Sequence, residues 1–300
     1  MNEKILSQAW VNQAERGSLR AIKLGVWIAL RLGRPAARLF LYPICLYFVA
    51  SSPAATRNSR AYLARVLNRK ARLADIFRHF LTFASCALDR VYLLNEQIGQ
   101  FDIQVHNEEA VLQVERNGGG CILVGAHFGS FEAARAIGRV ERNLPISLLM
   151  YEENAKKIRA ALAAINPRLA TEVIGLGRMD SMIAVAERLE RGHFIGVLAD
   201  RHFDAKDLIR YPFLGTPAAF PKGPFRVAWM LQRPVVMMVG VYRGGASYEV
   251  FFEVLAEALE TRPPDADAWL EAIMRRYVAR LEFYAREAPY NWFNFYDFWA

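Results

Sequence analysis

Cys121-Ile-Leu-Val-Gly-Ala-His127-Phe-Gly-Ser-Phe-Glu132 is the stretch whose reading decides the fold. Up to Ala126 it is apolar and uncharged, which predicts a buried strand. Ser130 is a suitable helix N-cap, and an apolar-periodic segment follows it, which predicts a helix. A strand, a tight Gly-containing turn and a helix in succession put His127 at the carboxyl end of the strand. Glu132 then falls in the first turn of the helix. In the expected arrangement Glu132 accepts a hydrogen bond from one imidazole nitrogen and fixes the tautomer. The other nitrogen is left as a base for a hydroxyl that attacks an acyl group.

The same alternation extends outward on both sides. Strands are expected at Phe101 to Val105, Cys121 to Val124, Ile146 to Met150, Ala170 to Ile174, Phe194 to Leu198 and Pro234 to Val241, with an outer strand at Tyr248 to Leu255. Helices are expected at Glu108 to Arg116, Ser130 to Arg139, Asn154 to Ala164, Ser181 to Glu190, Pro224 to Leu231 and Ala266 to Arg286. Gly118-Gly119-Gly120 stops the first of these helices and Gly192 closes the fourth. Continuous apolar strands alternating with helices predict an α/β fold: a mainly parallel central sheet with helices on both faces. In such sheets chemistry gathers beyond the carboxyl ends of the strands. Three polar clusters fall there: His127 with Glu132, Tyr151 to Asn154, and Asp200-Arg201-His202.

Residues 1–95 read differently, as helical, basic and apolar. Of the 300 residues, the first 100 carry 15 Lys/Arg against 5 Asp/Glu, so the chain's net charge of +8 lies entirely in that third. Mean hydropathy is +0.08. The charge-free run from Leu39 to Thr56 is interrupted by Pro43 and falls short of the roughly 20 apolar residues of a spanning helix. Arg31, Arg34 and Arg38 among apolar stretches suit an interfacial hairpin, with the guanidiniums reaching anionic headgroups and Trp27, Tyr42 and Tyr47 at the interface. The competing expectation is a buried helical hairpin. Two regions follow: 1–95 membrane-associating, and 96–300 an α/β domain. No secretory signal pattern opens the chain. Cys45, Cys86 and Cys121 lie far apart in apolar settings, as expected of reduced thiols in a cytoplasmic compartment. No metal-ligand spacing occurs among the five histidines. Basic residues interleave with apolar runs rather than polar helices, so nucleic acid is not an expected partner.

Spacing alone proves little, because His202 and Asp207 also fit His-x4-Asp, in a polar stretch with no helix start. Three segments together carry more. His127-Phe-Gly-Ser-Phe-Glu132 resembles the catalytic block of the lysophospholipid acyltransferase superfamily, nearest in look to its lipid A biosynthesis (lauroyl/myristoyl) acyltransferase branch. Tyr211-Pro-Phe-Leu-Gly-Thr-Pro-Ala-Ala-Phe-Pro-Lys-Gly-Pro224 is similar to a second segment of that branch. Val197-Leu-Ala-Asp200-Arg201 looks like a third. The resemblance covers about Gly120 to Val241, and the basic apolar start looks like such enzymes' membrane anchor. One departure stands out: that branch usually has an arginine after the third strand, where this chain has Tyr151-Glu-Glu-Asn154.

The resemblance implies an acyltransferase on the cytoplasmic face of the inner membrane, peripheral or single-pass. It implies a fatty or specialised polyene acyl group, a donor thioester of acyl carrier protein or coenzyme A, and a hydroxyl or amine of a lipid or glycolipid as acceptor. No cofactor or metal is expected. His127 and Glu132 are the implied catalytic pair. Asp200, Arg201, Tyr151, Asn154, Gly129 and Ser130 are the candidate substrate-binding residues, with Asp200 positioning Arg201 for an acceptor phosphate or carboxylate. The amides after Gly129 are candidate oxyanion donors. Ser130 lacks the Gly-x-Ser-x-Gly elbow of a nucleophile. The alternative reading is a non-catalytic lipid-binding or scaffold protein on the same fold.

Overall fold

The computed structural model describes residues 19–142, 144–151, 173–176, 179–201 and 207–300. Four helices come first: α1 (Leu19–Leu32), α2 (Arg34–Ser51), α3 (Pro53–Val66) and α4 (Leu73–Leu94). Alternation then begins with β1 (Asp102–His106), α5 (Glu109–Arg116), β2 (Ile122–Gly125), α6 (Phe131–Arg142), β3 (Ile146–Tyr151) and β4 (Val173–Leu176). It continues with α7 (Met179–Glu190), β5 (Phe194–Leu198), β6 (Leu208–Phe213), β7 (Thr216–Pro221), α8 (Gly223–Met230), β8 (Val235–Gly244), β9 (Ser247–Ala256) and α9 (Ala266–Glu287). The expected helix at Asn154 to Ala164 lies outside the described residues.

Seven strands form one sheet in the order β1-β9-β8-β2-β5-β3-β4. Neighbours from β8 to β4 run parallel, β9 is antiparallel to β8, and β1 is parallel to β9. Tyr248 to Leu255 is therefore not an outer strand: β1 pairs on its far side and takes the edge. β2 sits at the centre with all four residues buried. Its side chains alternate between two cores. Ile122 and Val124 pack with Leu270, Met274 and Tyr277 of α9, while Leu123 packs with Ala133 and Ala134 of α6. A central strand with both faces covered has no polar face, which is why its sequence reads as a continuous apolar run.

The amino-terminal helices join this core. Tyr62, Leu63, Ile76 and Phe80 belong to the same buried cluster as Val124 and Val197. Arg34 is buried against Asp89, with Nε and Nη2 donating at 2.8 Å each, and Arg38 donates to the Tyr242 hydroxyl and the Gly245 carbonyl. Two of the three arginines expected at headgroups thus turn inward and tie α2 to α4 and to the β8–β9 turn. Among the described residues no single helix is long and apolar enough to cross a membrane, although α2 and α3 pass that test as a pair bent by 97°.

The segment Tyr211 to Pro224 overlaps an antiparallel hairpin, β6–β7, that begins at Leu208 and that sequence periodicity does not reveal. Its turn residues Leu214 and Gly215 have φ of +51° and +80°. Two successive positive φ values suit a two-residue hairpin turn, but leucine is an unusual choice for one. The Leu214 N–H donates to Glu282 of α9 at 2.7 Å, so a tertiary contact holds it there.

Candidate active site

β2 and β5 pair in register, Gly125 opposite Leu198, and the ladder continues through Ala199 N–H to Gly125 O at 2.9 Å. Two residues beyond each member of that pair stand His127 and Asp200. His127 Nδ1 lies 2.8 Å from Asp200 Oδ1, and the His127 backbone N–H donates to Oδ2 at 3.0 Å. The carboxylate accepts two further bonds at 3.0 Å each, from the Trp292 indole N–H and the Asn294 side-chain amide. The Asp200 side chain is fully buried while that of His127 is 30 % exposed.

Burial by itself would raise the Asp200 pKa. The charge and hydrogen bonds of His127, with Arg201 nearby, outweigh it and hold Asp200 well below the usual carboxylate range. An ionised carboxylate has no proton to give, so Nδ1 carries the hydrogen and Nε2 the lone pair. Burial and then Arg201 lower the His127 pKa, against the opposing pull of Asp200. The ring is neutral at pH 7, and among the described residues Nε2 has no hydrogen-bond partner.

The turn after His127 is built by close backbone approach. Gly129, at φ +52°, donates to Asn291 O at 2.7 Å, and Ser130 N–H donates to Gly240 O at 2.7 Å. A Cβ on Gly129 would stand 1.8 Å from Gly240 O. Ser130 is buried and its hydroxyl caps α6 by accepting from Ala133 N–H at 3.1 Å. Of the amides after Gly129 that were expected to face an oxyanion, that of Ser130 is thus already paired within the protein, and Gly129 and Ser130 both shape the turn.

A profile of the bacterial lipid A biosynthesis acyltransferase family matches residues 25–300, nearly the whole chain. The chain belongs to that family. It is an acyltransferase. No curated protein sequence matches it.

The acyltransferase departs from the expected carboxylate pairing. Glu132 is buried, but its oxygens engage Arg90 Nη2 and Arg135 Nε at 3.0 Å each, joining α6 to α4. The carboxylate bonded to the imidazole is Asp200, which is fully buried. Arg201 donates from Nε to Asn294 Oδ1 at 2.8 Å and from Nη2 to Phe293 O at 2.9 Å, which ties the chain just beyond β5 to the carboxyl-terminal tail. Tyr151 ends β3 at the carboxyl edge of the sheet. Asn154 and the competing His202 lie outside the described residues.

Sequence reasoning missed Asn291, Trp292 and Asn294 as parts of the site. Trp292, Phe293 and Phe298 of the tail are buried in the core, and Asn291 O, Phe293 N–H and the Trp292 and Asn294 side chains all bond to the His127 turn or to Asp200. The readable signal was two asparagines inside an aromatic run, because a buried amide needs polar partners.

Proposed function

We propose that this acyltransferase moves a fatty or specialised polyene acyl group from an acyl carrier protein or coenzyme A thioester to a hydroxyl or amine of a lipid or glycolipid, on the cytoplasmic face of the inner membrane. His127 is the general base and Asp200 its positioning partner. The observation that carries this reading is the 2.8 Å contact between His127 Nδ1 and Asp200 Oδ1. It fixes the tautomer in which Nε2 accepts a proton.

The acceptor O–H or N–H bond breaks toward His127 Nε2 as the nucleophile forms a bond to the thioester carbonyl carbon. The resulting imidazolium lies against the buried Asp200 carboxylate, which stabilises it. Collapse of the tetrahedral intermediate breaks the carbon–sulfur bond, and the imidazolium returns its proton to the departing thiolate. The exposed apolar residues of α1 and α2 support membrane association. Trp27, Leu32, Leu39, Phe40, Leu46 and Tyr47 are all exposed, and apolar surface of this extent marks a docking site.

Purified variants incubated with labelled acyl carrier protein or coenzyme A thioesters and lipid extracts test the reading, with product identified by mass spectrometry. His127→Ala abolishes transfer while thermal melting stays near that of the parent. Asp200→Asn lowers kcat by about 10³-fold or more, because the amide gives up both the charge and the tautomer control. Turnover retained by a folded His127→Ala protein refutes the assigned base.

A further inference from the structure

A second histidine lies behind the first. His79 of α4 is fully buried, as is Ser59 of α3. The Ser59 hydroxyl is 2.8 Å from His79 Nδ1, and His79 Nε2 is 2.8 Å from Trp292 O. A carbonyl only accepts, so Nε2 carries the hydrogen, Nδ1 is the acceptor and Ser59 donates. Both ring nitrogens are satisfied, as a buried imidazole requires. Tyr62, Phe293 and Phe295 enclose the ring, with centroids 5.5, 6.2 and 4.6 Å away.

The carbonyl that His79 holds belongs to the peptide joining Trp292 and Phe293. The N–H of that same planar unit donates to His127 O at 2.7 Å. One rigid peptide thus stands between the two histidines, and the Trp292 indole reaches Asp200 from the same residue. If only packing mattered at position 79, an apolar ring would serve without the cost of desolvating two nitrogens.

We propose that His79 is a positioning residue for acyl transfer: by fixing the 292–293 peptide it holds the His127 backbone and the Trp292 indole in the geometry that orients the base. Burial pushes the His79 pKa down to about 4, so the ring stays a neutral, fixed donor across the working pH range. The inference rests on His127 as the base.

The full chain carrying His79→Leu, His79→Gln or Ser59→Ala tests it, with kcat, KM for the thioester, the pH profile of kcat/KM and thermal melting measured on each. His79→Leu removes the donor and is expected to lower kcat by about 10- to 100-fold, the scale of a small misplacement of a catalytic group, with KM changed much less. The acid limb of its profile moves to higher pH, because a loosened, wetter His127 returns toward its ordinary pKa. His79→Gln keeps an N–H near the Nε2 position and restores most of both. Ser59→Ala frees the ring while leaving the core filled, and produces a smaller shift in the same direction. It decides the matter where His79→Leu does not fold. Lower melting temperatures with kcat and acid limb unchanged per folded molecule overturn the proposal, as does equal kcat in the leucine and glutamine variants. An active His127→Ala protein overturns the base itself. An inactive one, beside unaltered His79 and Ser59 variants, overturns only the role of His79.

Discussion

At the scale of single residues, two carboxylates compete for His127, and their partners separate their roles. Among the described residues Asp200 accepts hydrogen bonds from neutral donors and the imidazole, whereas Glu132 is held in ion pairs by Arg90 and Arg135. Glu132→Gln is therefore expected to lower stability through lost charge pairing while retaining far more turnover than Asp200→Asn. Parallel melting curves and single-turnover rates check this. The base works in its neutral form, and its folded pKa lies below the ordinary histidine value. Activity thus falls only on acidification through a pKa below about 6.5, with a plateau at neutral pH. A kcat/KM profile whose acid limb lies at or above that value contradicts the assignment. His79 makes a separate prediction for stability. Its folded pKa is depressed to about 4, so below the unfolded value the denatured state binds more protons. Stability is lost as pH falls from about 6.5 toward 4, with this residue contributing about 2 kcal/mol of the loss between pH 7 and pH 5. Urea denaturation at both pH values reads it as the difference in pH dependence between the parent and His79→Gln.

At the scale of elements, the strand–turn–helix around His127 was legible because its strand is wholly apolar and its cap is a serine. What makes the turn is less visible: Gly129 in the turn and Gly240 in β8 touch through their backbones although they are sequence-distant. A Cβ on Gly240 would stand 2.1 Å from Ser130 O. Gly129→Ala and Gly240→Ala are each expected to destabilise by about 3 kcal/mol or more, since backbone rather than a flexible side chain must yield. Melting temperature and soluble yield report it; a folded Gly240→Ala protein of parental stability contradicts the close approach. The β6–β7 hairpin was not legible, because Leu214 does not announce a positive φ and only Glu282 of α9 explains it. The edge position of β1 escaped for a similar reason: strand order is set by pairing, and periodicity carries no record of it.

At the scale of the molecule, the basic excess and the apolar excess of the first hundred residues part company in the fold. Arg34 and Arg38 turn toward the sheet, while Leu39, Leu46 and Tyr47 remain 70, 60 and 63 % exposed. Docking on a bilayer would bury these side chains, and each fully inserted leucine contributes about 1.5–3 kcal/mol. Leu39→Glu combined with Leu46→Glu is expected to weaken binding to anionic liposomes at least about 100-fold without lowering the melting temperature. Sedimentation with vesicles measures it, and unchanged binding refutes docking through this face.

The amino-acid sequence by itself determined the α/β alternation, the place of His127 at a strand end and the resemblance that the family match bears out, because apolar periodicity and cap residues act over a few positions. It could not determine which carboxylate holds the imidazole. Glu132 is five residues away and Asp200 seventy-three, yet β2 and β5 pair in register and carry His127 and Asp200 the same two steps past their ends. Strand pairing converts a long separation along the chain into a 2.8 Å contact. The carboxyl-terminal tail then closes over it through hydrogen bonds that exist only once the sheet is assembled.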